Sequence, residues 1–282
     1  MSSLYIVSTP IGNLGDMTYR GVEVLRTVGF VLAEDTRRTK ILFSRYDIHT
    51  PLVSAHEHNE QARVARVLGW LGDGADVALV SDAGTPLVSD PGARLVSAAL
   101  EAGHTVVPVP GASAALAALV ASGIDAEPFT FFGFLPRGGA ARRESMKQIA
   151  VAAHASIVYE APGRLAKLLA DLAALCEPDR AIAVGREMTK LHESFFRGTL
   201  VEAIAYYRDT AVRGEVVVVV AGRSTGRPVA AEGAWDVIRD LVGSGLKPSA
   251  AAREAVARLG LSRNEAYQIA LAVDREREGG SE

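Results

Sequence analysis

A single cysteine, Cys176, has no partner within the 282 residues, so an intrachain disulfide and a cluster of thiolate metal ligands are both excluded. It reads as a small buried hydrophobe. No apolar run approaches the roughly 20 residues of a membrane helix, and the opening run at 4–7 lacks the charged start and long apolar stretch of a signal peptide. A soluble, cytoplasmic protein with no membrane partner is expected. Excess charge is scarce: the net value of −3 argues against sequence-blind nucleic-acid binding by a uniformly basic surface. There is no G-x-G-x-x-G, no G-x-S-x-G elbow and no G-x-x-x-x-G-K-[ST] loop, which removes the main support for a dinucleotide site, a serine hydrolase or a P-loop ATPase. His56-Glu57-His58 has no further local ligands, so no metal is expected. Internal repeats and low-complexity tracts are also missing.

What is present is apolar material in short pieces. Hydrophobic residues make up 49% of the chain, enough for substantial cores. Strand-length runs at 4–7, 30–33, 77–80 and 106–109 alternate with helical stretches such as 60–71, where Val64, Leu68 and Leu71 recur on one face. Buried parallel strands covered by helices are expected from this α/β pattern. Residues 112–121 are nearly all Ala, Leu and Val and predict a helix packed on most sides. A second series follows, with strands at 130–132, 156–159, 181–184 and the valine run 216–220. The expected domains are 1–120 and 121–222, both α/β, then a Gly/Ser/Pro linker around 222–231 and a helical unit at 232–282. In that unit a helix at 248–259 stops at Gly260, and Ser262-Arg-Asn-Glu265 has the spacing of a capping box opening another helix. The pair reads as a helix-turn-helix or as a packing tail.

In an open α/β sheet, ligands sit beyond the carboxyl ends of the strands. The loops there are distinctive. Ser8-Thr-Pro-Ile-Gly-Asn-Leu-Gly-Asp16 places Pro10 at a strand exit, as a stiff wall or as an ordinary turn. Ala33-Glu-Asp-Thr-Arg-Arg-Thr39 brings Asp35, Arg37 and Arg38 out together, as a phosphate fork or a surface ion pair. Ser81-Asp-Ala-Gly-Thr-Pro86 and Leu87-Val-Ser-Asp-Pro-Gly92 combine carboxylates with small residues that let backbone approach a ligand. Ser113 either caps the following helix or faces a ligand. Phe132-Gly-Phe-Leu-Pro-Arg137, Tyr159-Glu-Ala-Pro-Gly-Arg164 and Gly185-Arg-Glu-Met-Thr-Lys190 crowd polar groups at later exits. By charge alone, the clusters at Arg37, Arg38 and Lys40, at Arg142, Arg143 and Lys147, and at Arg253, Arg258 and Arg263 read as solvated helix faces.

Taken in order, Thr9-Pro-Ile-Gly-Asn-Leu-Gly-Asp16, Glu34-Asp-Thr-Arg37, His56-Glu-His-Asn-Glu60, Ser81-Asp-Ala-Gly-Thr-Pro86 and Arg186-Glu-Met-Thr-Lys190 closely resemble the bacterial 16S rRNA (cytidine-2'-O)-methyltransferase family, which modifies cytidine 1402. The resemblance spans about residues 4–222 and continues into the tail. It implies the tetrapyrrole-methylase fold, two α/β domains with a C-terminal helical, helix-turn-helix-like appendage. It also implies S-adenosylmethionine in the interdomain cleft, a homodimer, and 16S rRNA within the 30S subunit as partner. Carried over, Pro10, Asp82, Gly84, Val88, Ser113, Ala114, Tyr159 and Ala221 are expected around the cofactor. Glu187, Asp35 and Lys190 are the candidate catalytic residues, with Glu187 or Asp35 as base. Arg37, Arg38, Arg137, Arg164 and Arg186 are the candidate RNA contacts. One departure stands out: the family often has a serine and a histidine in the loop that reads Tyr159-Glu-Ala-Pro-Gly-Arg164 here, so roles of those two side chains do not transfer. The rival readings are a tetrapyrrole C-methyltransferase on the same fold and a non-enzymatic rRNA-binding assembly factor.

Overall fold

Alternating apolar side chains along five short strands build the first layer of the computed structural model, which describes residues 2–55, 60–208, 210, 212–223, 231–259, 261, 266, 267 and 269–274. The strands β1 (Ser3–Val7), β2 (Phe30–Ala33), β3 (Leu52–Ser54), β4 (Val77–Val80) and β5 (Thr105–Val109) form a parallel sheet in the order β3-β2-β4-β1-β5. Successive residues point to opposite faces. Val31, Ala33, Ala78 and Val80 therefore meet α1 (Tyr19–Thr27) and α2 (Thr36–Tyr46) on one side, while Leu32, Val77 and Leu79 meet α3 (Glu60–Gly72) and α4 (Ala93–Glu101) on the other. Covering both faces is what makes near-continuous apolar strands affordable in water. Helix starts follow local chemistry: Thr18 accepts from the Gly21 N–H at α1, and Asp35 accepts from the Arg37 N–H at α2.

The chain then crosses to a second sheet through α5 (Ala114–Ser122), which ends where Gly123 takes the left-handed conformation at φ 76°. This helix is not packed on most sides. Ala115, Ala118 and Leu119 bury against the second sheet, while Leu116 and Val120 remain 50% and 78% exposed. Composition alone could not reveal this, because the helix is apolar all round. The second sheet has the order β6-β7-β10-β8-β9, from β6 (Phe129–Phe134), β7 (Ala155–Glu160), β8 (Ala181–Arg186), β9 (Ser194–Thr199) and β10 (Val216–Val220). Only β6 and β7 are parallel; β10 runs against both β7 and β8, and β9 against β8. On its far face lie α6 (Gly139–Val151), α7 (Leu165–Ala173) and α8 (Leu200–Arg208), around Leu165, Leu168, Leu172 and Val218.

Both sheets belong to one compact unit, residues 1–223, and residues 224–282 form another. One reason for the merger of the two α/β halves is visible: Ile11, from the loop after β1, joins the cluster that α5 makes with the second sheet. In the C-terminal unit, α9 (Ala231–Gly243) and α10 (Pro248–Leu259) pack through Ala234, Ile238, Ala251 and Ala255, with Ala266 and Ala270 from further helical residues. Gly260, the capping-box residues 262–265, most of the expected linker and His56-Glu57-His58 lie outside the described residues. Among the described residues no helix is long and apolar enough to cross a membrane, and no group of three or more potential ligands is placed to hold a metal.

Candidate active site

The cleft begins where β1 and β4 lie side by side. From β1 the chain crosses past β4 to β2 on one side, and from β4 it crosses past β1 to β5 at the opposite edge. The two loops splay apart at this switch point, where open α/β sheets leave a crevice. They are tied at one place, where Thr9 N–H donates to Gly84 O at 2.9 Å and Gly84 N–H returns to Thr9 O at 3.0 Å. Beyond that tie the loop after β4 is strained: Leu87 and Ser89 hold φ of 71° and 69°, in the region that costs an L-residue roughly 1–2 kcal/mol. Gly133, at φ 61° on β6, has no side chain, and a Cβ there would lie 2.9 Å from Ser89 Oγ. That gap is how the loop reaches the second sheet.

Between the sheets is a cavity of about 330 Å³. The first sheet contributes Ile11, Glu34, Arg38, Asp82, Gly84, Val88, Asp90, Ser113 and Ala114, and the second contributes Phe134, Tyr159, Glu160, Glu215, Val216 and Val217. Tyr159 is fixed by its phenol oxygen, which accepts from the Ala115 N–H at 3.1 Å, and by edge-on contacts to Phe131 and Phe134 with centroids 4.9 and 5.4 Å away. The opposite character comes from carboxylates. Asp90 is half-buried, and burial, then the negative charges of Glu34 and Asp82, push its pKa up to about 6 despite a hydrogen bond from Ser81. Apolar and aromatic walls beside a cluster of carboxylates suit a ligand with a flat apolar part and a positive charge.

Asp35 does not line this cavity. It caps α2 and grips Arg37 with both oxygens, Nε to Oδ1 at 3.0 Å and Nη2 to Oδ2 at 2.8 Å, and these bonds with the Arg37 N–H hold its pKa at about 2. Glu187 and Lys190 also stand behind the wall. Glu187 Oε1 accepts from Lys190 Nζ at 2.8 Å and from the Glu215 N–H at 2.9 Å, which lowers its pKa. Burial pulls the Lys190 pKa down, but its bonds to Glu187 and Glu215 raise it on balance. The loop is wedged: Glu187 and Thr189 hold φ of 50° and 65°, a Cβ on Gly12 would lie 2.5 Å from Lys190 Cγ, and one on Gly214 would lie 2.1 Å from Glu187 Oε1. The expected catalytic trio thus stands as two saturated ion pairs beside the cavity, Asp35–Arg37 and Glu187–Lys190.

Of the residues expected around a cofactor, Asp82, Gly84, Val88, Ser113, Ala114 and Tyr159 line the cavity. Pro10 lines a small adjoining pocket of about 60 Å³ that shares Asp82 and Arg38 with it. Ala221 is a correction. Its N–H bonds Ala181 O at the start of β8, and the cavity takes Val216 and Val217 from the other end of β10, roughly 16 Å away. The carboxyl-end rule fails there because β10 is antiparallel to its neighbours, so its start adjoins the ends of β7 and β8, with Val216 opposite Glu160 and Arg186. Arg38 faces the cavity near Asp82 at 3.7 Å, and Arg37 is exposed. Arg137 and Arg164 share a neighbouring groove, while Arg186 bonds Ser194 Oγ at 3.1 Å on the rim loop. Arg142 is a second correction: it is 5% exposed and bonded to Asp171 at 2.9 Å, not part of a solvated face. The residues missed were Asp90 and Glu34, which stood in quoted motifs without a role, and Gly214–Glu215, which carry no motif signal.

The profile of the Tetrapyrrole (Corrin/Porphyrin) Methylases matches residues 3–204. A Synechocystis protein named ribosomal RNA small subunit methyltransferase I is 44% identical over 97% of this chain and 99% of its own. Proteins of the same name from Bacillus subtilis and Micromonospora olivasterospora are 43% identical over 94% of this chain and 91% of theirs, and 52% identical over 78% and 70%. Among solved structures, uroporphyrin-III C-methyl transferase from Thermus thermophilus complexed with S-adenyl homocysteine superposes with a TM-score of 0.58 at 19% identity, covering 78% of this chain and 97% of that one. The methyltransferase CobJ gives 0.60 at 20% identity, covering 80% and 97%. With the fold, the cleft and near full-length identity in agreement, the chain belongs to the tetrapyrrole methylase family and, within it, to the small-subunit ribosomal RNA methyltransferases I.

Proposed function

We propose that this methyltransferase methylates the ribose 2'-hydroxyl of cytidine 1402 in 16S rRNA, with S-adenosylmethionine as donor, in the cytoplasm and as a homodimer. The observation that carries the reading is the extent of the likeness. Relatives named for small-subunit rRNA match nearly the whole chain, whereas the uroporphyrin-III C-methyl transferase structure leaves about a fifth of it uncovered and the family profile ends at residue 204. Likeness to the rRNA relatives that continues past the family profile favours RNA over a tetrapyrrole.

The residues present fit the donor. Tyr159, Ile11 and Val217 offer apolar walls for an adenosine, and the carboxylates of Glu34 and Asp82 suit a sulfonium and an ammonium. When bound, S-adenosylmethionine supplies an electrophilic methyl group. The protein's task is then to hold a ribose oxygen in line, worth up to roughly 7–11 kcal/mol, and to take its proton, worth roughly 10²–10⁴ in rate.

We assign the proton to Asp90. Among the carboxylates on the wall, Glu34 is exposed, Asp82 accepts the Asp35 N–H and faces Arg38, Glu160 is held by Arg164 and Arg142, and Glu215 by Lys190. Asp90 has no cationic partner among the described residues and a pKa of about 6, whereas Asp35 and Glu187 are held as weak bases by their own ion pairs. Labelled S-adenosylmethionine offered with unmodified 30S subunits, free 16S rRNA and a precorrin-type tetrapyrrole tests the whole reading. Label on the ribose of one cytidine is expected, and label on the tetrapyrrole alone overturns it.

A further inference from the structure

The ends of the parallel neighbours β6 and β7 leave the sheet together and run into residues 134–137 and 161–164. Between these two segments lies an open groove of about 580 Å³, lined by Phe134, Leu135, Pro136, Arg137, Ala161 and Arg164. It adjoins the cavity, since Phe134 and Ala161 line both. Phe134 is 58% exposed, and its ring is braced by an edge-on contact to Tyr159. An exposed, braced aromatic ring at the mouth of a reaction cavity is a stacking platform, and every nucleobase has a face to lay on it.

Charge separates the two compartments. Glu34, Asp82 and Asp90 crowd the cavity, whereas the groove carries two guanidinium groups. Arg137 has no hydrogen bond or ion pair among the described residues. Arg164 binds Glu160, whose buried carboxylate is also faced by Arg142 at 3.8 Å, so no uncompensated negative charge lies beneath the groove. The buried Nε of Arg164 has no hydrogen-bond partner among the described residues.

Resting on the RNA reading above, we infer that this groove is a subsite for the single-stranded nucleotide adjoining the methylated one, its base stacked on Phe134 and its phosphate held by Arg137 and Arg164. The target ribose then enters the acidic cavity while its neighbour stays outside in the cationic groove. Splayed, unstacked bases held on aromatic rings are how proteins commonly take RNA sequence-specifically.

The test is steady-state methylation of unmodified 30S subunits by the full-length enzyme, varying RNA and S-adenosylmethionine separately. For Phe134→Ala the KM for RNA should rise roughly 5- to 150-fold, the loss of one stacked base, and Phe134→Trp should restore it. For Arg137→Ala the KM for RNA should rise and the slope of log KM against log salt should shallow by about 1 or slightly less, with the KM for S-adenosylmethionine unchanged. Both side chains are exposed, and equal Tm values show that the variants fold. If the wild type methylates RNA but neither variant moves its KM for RNA, or if Arg137→Ala raises only the KM for S-adenosylmethionine, the groove is not a nucleotide subsite. A wild type that methylates no RNA overturns the groove and the parent reading together.

Discussion

Two aspartates quoted from the same kind of motif end up with opposite chemistry, which shows what a single residue takes from its surroundings. Asp35 is clamped by Arg37 to a pKa of about 2; Asp90, half-buried among like charges, sits at about 6. If Asp90 takes the ribose proton, Asp90→Asn should lower kcat by roughly 10²–10⁴ while leaving the KM for RNA near its wild-type value. The wild-type kcat/KM should rise with pH through about 6, and that limb should vanish in the variant. Asp35→Asn and Glu187→Gln should keep the limb. Stability carries the opposite sign. The folded state keeps a proton on Asp90 where the unfolded chain has released it, so this group's contribution is full below 3.8 and is lost as pH rises through about 6. Tm measured without ligand should fall across that window less steeply in Asp90→Asn. Gly214 offers a steric counterpart. Its φ is +83° and a Cβ would lie 2.1 Å from Glu187 Oε1, so Gly214→Ala should destabilise by about 2 kcal/mol or more and disturb the Glu187–Lys190 clamp, readable in a denaturant melt.

At the level of elements, legibility followed hydrophobic pattern. The runs 30–33, 77–80, 216–220 and 248–259 coincide with β2, β4, β10 and α10, because each is apolar or periodic and bounded by breakers. β3 and β9 did not show. The first has three residues, and Ser194-Phe-Phe-Arg-Gly-Thr199 lies at a sheet edge, where burial no longer imposes alternation. Strand direction is invisible to periodicity altogether, and the misplacement of Ala221 follows from that. The cavity loops were legible for a different reason: glycines and carboxylates at the ends of parallel strands have few structural uses. Glu215 was not, since it adjoins the start of an antiparallel strand. The elements also depend on one another across the cleft. Tyr159 on β7 accepts the Ala115 N–H in the first turn of α5, so Tyr159→Phe should cost about 1 kcal/mol and weaken binding of S-adenosylmethionine by isothermal titration.

For the whole molecule, the division at residue 223 separates two compact units. The unit 1–223 contains both sheets and the cavity, and the unit 224–282 has its own alanine-rich core with Arg253 and Lys247 exposed on it. A net charge of −3 cannot draw RNA to the protein broadly, so affinity must come from local cations that meet phosphate in register. If the tail's cations meet phosphate, they add binding shared equally by ground and transition states. Deleting residues 224–282 should therefore leave the affinity for S-adenosylmethionine and the melt of the remaining unit nearly intact. The KM for 30S subunits should rise, and its salt dependence should shallow by about one per lost phosphate contact. Arg253→Glu in the full chain should move the same KM in the same direction without touching kcat. A loss of S-adenosylmethionine binding on deletion would mean instead that the tail helps to fold the catalytic unit, and an unchanged KM for 30S would place all RNA recognition in the cleft.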